Sequence, residues 1–163
     1  MTSEPLQNYA VGAPLWRRFA AMVYDSFLLL ALSMAYGFAT QFIHALIYGA
    51  GEQDYQPKVS GVAFLLGWLL TLATFYIFFW CRAGQTAGMR AWRLKVVKRS
   101  ALPAQQLPTL KQSALRAPLS IAALIFAGLG YWWRFADQQG DCLHDKLSQT
   151  RVVVTPPRKK KNP

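Results

Sequence analysis

The chain has 163 residues, enough for one domain, with 53% hydrophobic residues and a net charge of +11. Its apolar residues are bunched, with no Asp, Glu, Lys or Arg in Ser26–Gly51, Val59–Cys81 or Ala117–Trp133, which excludes an ordinary soluble globule. The cations crowd the ends of these stretches, a pattern of membrane topology rather than of a nucleic-acid binder.

Residues 1–13 read as a flexible N-terminus. A first helix is predicted from about 14 to 48, opening at Pro14, a good first-turn residue, and closing at Gly49. A bilayer core of about 30 Å needs about 20 apolar residues, and the first two charge-free stretches meet that. Inside the first helix lie Arg18 and, seven residues later, Asp25. A carboxylate in a membrane helix costs roughly 2.5–3.5 kcal/mol on insertion scales, so Asp25 needs a partner or a task. The arginine pair before the apolar run does not make a cleaved signal: the run is too long and contains Asp25.

The loop around 52–58 carries Glu52, Asp54, Pro57 and Lys58, and seventeen of the eighteen Lys and Arg lie outside it. That asymmetry puts the N-terminus and the 82–116 segment in the cytoplasm and this loop outside. A second helix is expected over about 59–82. Gly84-Gln85-Thr86-Ala87-Gly88 follows as a turn or a place of tight backbone packing. Leu94–Lys98 alternates as a short strand does, and Arg151–Thr155 is a second β-prone run. Between them a third helix is expected over about 110–133, interrupted or bent around Pro118. Its charge-free part has 17 residues, short for a crossing, so a re-entrant or interfacial helix is expected. That choice leaves both strands on one side, free to pair as a small cytoplasmic β element. A full crossing would instead leave the basic 156–163 tail outside. Cys81 and Cys142 read as free thiols, and no cysteine or histidine has metal-ligand spacing.

On a helix, seven residues bring Arg18 and Asp25 to nearly one face but about 10.5 Å apart, too far for direct contact. Each should therefore meet a partner from elsewhere. Asp137, Asp141, His144 and Asp145 lie in one C-terminal cluster, and Arg82 ends the second helix. We expect Arg18 to pair with an aspartate of that cluster. Asp25 should take hydroxyl or backbone donors.

Arg17-Arg18-Phe19-Ala20-Ala21 with Asp25, Gly84-x-Thr86-x-Gly88 with Arg90, Leu94-Lys95-Val96-Val97, and Leu143-His144-Asp145 with Thr150 come in a telling order. In that order they resemble the RDD family of bacterial membrane proteins, over nearly the whole chain, from Trp16 to Thr155. The resemblance implies that Arg18 and Asp25 are the family's arginine and first aspartate, with Asp145, or second to it Asp137, as the other. Two positions depart from the pattern. Met89 stands where a lysine is common, and Ser148-Gln149 where an Ala-Gly-like pair is expected.

The expected fold is thus all-α membrane, with two clear spanning helices, a third short or re-entrant one and the β element, forming one membrane domain over residues 14–155. The polar network is Arg18, Asp25, Asp145, His144 and Asp137, with Gly84, Thr86 and Gly88 as the motif turn. Two function classes follow. The first is cation or proton transport through an oligomer using Asp25, as the resemblance implies for some members. The second is a non-catalytic interaction, assembly or sensing protein whose Arg–Asp network is structural. No catalytic residue, metal or cofactor is expected. The partners are the bilayer with its anionic headgroups and either a second copy or another membrane protein, in a bacterial inner membrane.

Overall fold

The computed structural model describes residues 12–49, 61–102, 104–125 and 128–156. The 52–58 loop and the closing basic run lie outside them. The chain is mainly helical: α1 (Leu15–Tyr48), α2 (Gly61–Ala83), α3 (Ala87–Ala91), β1 (Leu94–Lys98), a 3-10 turn at Arg99–Ala101, α4 (Leu110–Ile125), α5 (Leu129–Ala136), α6 (Leu143–Leu147) and β2 (Thr150–Val154).

Two helices are long and apolar enough to cross a membrane, over Leu15–Ile47 and Gly61–Ala83. The 34 residues of α1 extend about 51 Å at about 1.5 Å each, well beyond a bilayer core, so one end has length to spare for packing elsewhere. Pro14, extended at φ −63° and ψ 148°, opens the helix. Gly49 closes it at φ 88°, a left-handed conformation that favours glycine, its N–H bonding Ala45 O at 2.9 Å. Toward that end α1 and α2 touch through few polar groups. Trp68 Nε1 donates to Ser33 Oγ at 2.9 Å, and Tyr36 Oη donates to Phe64 O at 3.0 Å. Phe27, Met34, Phe38 and Leu46 of α1 and Val62 and Leu70 of α2 are each about two-thirds exposed or more. An apolar surface of that extent fits lipid.

α4 and α5 meet at 89°, the shape of a broken span or a re-entrant segment. The bend is not at Pro118, contrary to expectation. α4 runs through that residue, which is exposed, so its ring projects away from the core. The turn comes instead before α5, at Gly128, whose φ of 74° is left-handed.

β1 and β2 pair antiparallel, Leu94 opposite Val154 through Lys98 opposite Thr150. Two strands alone are marginal in water, so this pair needs support. Its free edges are covered: Ala13 N donates to Val152 O on one side and Val96 N to Gly84 O on the other, both at 2.7 Å. Ala13 and Gly12 are thereby buried and bonded, Gly12 N donating to Gln139 O at 3.1 Å, so the loose N-terminus does not extend to these two residues. Leu94, Val96 and Val152 pack with Ala21, Trp80, Met89 and Ala117 into the main apolar core. The sheet therefore plugs one end of the helices.

Candidate functional site

Arg18, Ala21 and Asp25 fall on one face of α1 because residues three, four and seven apart align on a helix. That face turns toward the sheet end, and all three are at least 95% buried. Arg18 Nε donates to Ala13 O at 3.0 Å, and its Nη1 donates to Asp145 Oδ2 at 2.6 Å and to Cys142 Sγ at 3.2 Å. Asp145 also holds α6 in place, accepting Cys142 N at 3.3 Å in a capping box. From the opposite side Arg116 of α4 brings Nη1 within 2.6 Å of Asp145 Oδ1 and donates to Thr150 Oγ1 at 2.5 Å. Its guanidinium lies 5.2 Å from the Trp80 ring centre. One fully buried carboxylate thus joins α1, α4 and α6. Burial pushes the Asp145 carboxyl up, but the two guanidiniums outweigh burial and hold it far below the usual carboxylate range.

Asp25 is held by different groups. Thr86 Oγ1 donates to its Oδ2 at 2.5 Å and Gly88 N donates to its Oδ1 at 2.9 Å. Thr86 at the same time caps α3, accepting Met89 N at 3.2 Å. A Cβ at Gly88 would collide with Ala21 O and come within 2.8 Å of Asp25 Oδ1, so glycine lets the two backbones meet there. Gly84, at φ 69°, makes the preceding turn; a Cβ there would lie 2.7 Å from Val96 O. The glycines and threonine of the motif therefore form the seat of Asp25.

A family model, RDD family, matches residues 12–149, most of the chain. The chain belongs to the RDD family. No curated protein and no solved structure matches it. In this RDD chain the arginine and the two aspartates read from the sequence do not form one triad. Arg18 contacts Asp145, while Asp25 takes its hydroxyl and backbone donors from the turn before α3 and from α3 itself.

Asp137, the alternative second aspartate, is engaged locally. It accepts Gln139 N at 3.2 Å and Asp141 N at 3.0 Å and pairs with the half-exposed Lys146. The Lys146 bond draws its carboxyl below the usual range. His144 is buried, 4.8 Å from the Tyr131 ring and with Nε2 3.6 Å from Asp145 Oδ1. Burial, against the pull of Asp145, takes its pKa down to about 3, so the imidazole is neutral near pH 7. Arg82 is exposed at the end of α2.

Sequence reasoning missed Arg116, read there as no more than the last residue of the basic segment before an uncharged stretch. A signal existed: Ser113, Ala117 and Ser120 surround it at helical spacing, a row of small residues that lets another element come close. It also missed the second buried ion pair. Arg151 of β2 donates to both oxygens of Asp141, Nε at 2.7 Å and Nη2 at 2.6 Å.

Cys142, His144 and Asp145 bring potential metal-ligand atoms within 4.8 Å of one another. The chemistry does not suit a cation. Two guanidiniums already occupy Asp145, Arg18 donates to the sulfur, and burial pushes the Cys142 thiol up to about 11. Beside this cluster a cavity of about 370 Å³ opens between α1, α2 and α4. Arg18, Asp25, Arg116 and His144 line its sheet end, and Leu29, Leu72 and Leu124 its far end.

Proposed function

We propose that this RDD-family membrane protein is a non-catalytic interaction and assembly module, whose buried charges fix the sheet end against the membrane helices. The observation that carries this reading is the commitment of both aspartates. Each oxygen of Asp25 accepts from a neighbouring element, and each oxygen of Asp145 faces its own arginine. Polar groups placed in this way join membrane helices by roughly 0.6–2 kcal/mol each. Partners, either a second copy or another membrane protein, would dock against the apolar faces of α1 and α2. The basic residues of the sheet end, among them Lys95, Lys98 and Arg99, support a cytoplasmic, inner-membrane placement of that end beside anionic headgroups.

One observation favours the second reading, cation or proton transport through an oligomer: Asp25 lines the cavity between the helices. Proteoliposomes separate the two. Asp25→Asn keeps a side chain that can accept from Gly88 N and bond Thr86, but it does not titrate. The expected result is no cation-driven proton flux from wild type or variant, with both folded and self-associated to the same degree by light scattering. Flux from the wild type that Asp25→Asn abolishes would replace assembly with transport.

A further inference from the structure

The cavity has its charge at one end and hydrocarbon along the rest. Its depth follows from the helices. Arg18 and Leu29 are eleven residues apart on α1, about 16 Å at about 1.5 Å per residue. Leu72 to Trp80 on α2 and Arg116 to Leu124 on α4 each cover eight residues, or about 12 Å. At the far end Ile121 and Leu124 of α4 are 42% and 48% exposed. The serines in the walls add little polarity, since Ser26 Oγ bonds Val23 O and Ser120 Oγ bonds Arg116 O and Ala117 O of their own helices.

The charged end holds donors in surplus. Two guanidiniums touch Asp145, and the oxygens of Asp25 are turned to Thr86 and Gly88. Arg18 Nη2 and Arg116 Nε are buried N–H groups with no hydrogen-bond partner among the described residues, and Asp145 Oδ1, also without a hydrogen bond, lies 2.6 Å from Arg116 Nη1. Both arginine side chains are at least 95% buried and line the cavity. A buried N–H without an acceptor costs about 1–3 kcal/mol, more when the group is charged, so the site suits an oxyanion. Near 370 Å³ the cavity is at the small end of ligand sites, which run about 300–1,000 Å³, and so fits one chain rather than two.

We propose that this cavity binds a single-chain anionic amphiphile from the bilayer, its carboxylate or phosphate headgroup held by Arg18 and Arg116 and its chain lying between α1, α2 and α4. The headgroup then sits at the sheet end and the chain points toward the bilayer centre, the orientation of a lipid in the adjoining leaflet. Arg116 can fork onto such a headgroup along its Nε edge, while Arg18, with Nε on Ala13 O and Nη1 on Asp145, offers Nη2 alone.

The test uses the full chain in neutral detergent and dodecyl phosphate as probe, with bound copies counted by native mass spectrometry. One copy per protomer is expected, with dodecanol bound at least tenfold more weakly and inorganic phosphate failing to displace the probe. Ser120→Phe fills the cavity without removing a bond between elements and should weaken the probe at least tenfold. Ile121→Trp, at the far end, reads the same effect should Ser120→Phe not fold. Arg116→Lys keeps a cation for Asp145 and loses the fork, and should weaken dodecyl phosphate while leaving dodecanol unchanged. Equal binding of dodecanol and dodecyl phosphate, displacement by inorganic phosphate, or unchanged binding in folded cavity-filling variants would each overturn the site.

Discussion

The two ends of this protein solve opposite problems. Around the sheet, short elements from both halves of the sequence bury ion pairs, caps and a valine-rich core within the protein itself. Along the membrane half, the most apolar window of α1 has 11% of its residues buried and that of α2 none. The first end carries its own interior; the second borrows one from the lipid. Charge is therefore concentrated where protein, not bilayer, surrounds it, and Arg18 and Asp25 stand on the first turns of α1, at that change of environment.

Substitutions should weigh differently on the two ends. Removing Asp145 as Asp145→Ala strands Arg18 and Arg116 and should cost about 3–5 kcal/mol, read as loss of the thermal unfolding transition in detergent. Acid acts on the same end through His144, whose folded pKa of about 3 lies below its ordinary 6.5. The unfolded chain then binds the proton first, so this contribution is complete above about pH 6.5 and is lost as pH falls toward 3. The slope should approach about 1.4 kcal/mol per pH unit, and His144→Phe should flatten the stability profile between pH 6.5 and 4. Gly88→Ala forces α3 from α1 and should cost about 1–3 kcal/mol in denaturant titration. In the membrane half, Trp68→Phe removes the bond to Ser33 and should cost only about 0.6 kcal/mol in the same assay. Equal losses for Trp68→Phe and Asp145→Ala would erase the contrast between the ends.

The helices could be read from the sequence because lipid imposes long runs without charge. The strands could be read from their short runs of β-branched valines, and their pairing followed from needing both on one side. The split roles of Arg18 and Asp25 came from helix pitch, which sets them two turns apart. Arg116 could not be found that way, since a cation at the edge of an apolar run looks the same whether it faces headgroups or a buried carboxylate. Pro118 misled for a related reason. Proline marks a lost backbone bond, but an exposed ring at that position leaves α4 unbroken, and the chain turns at Gly128 instead.

Arg18 and its counter-ion are separated by 127 positions along the chain. A ribosome adding roughly 5–20 residues per second delivers the arginine roughly 6–25 s before the carboxylate that neutralises it. Through that interval the nascent first helix has to keep its cation wet or lent to a chaperone, and its packing becomes final only after Asp145 has been made.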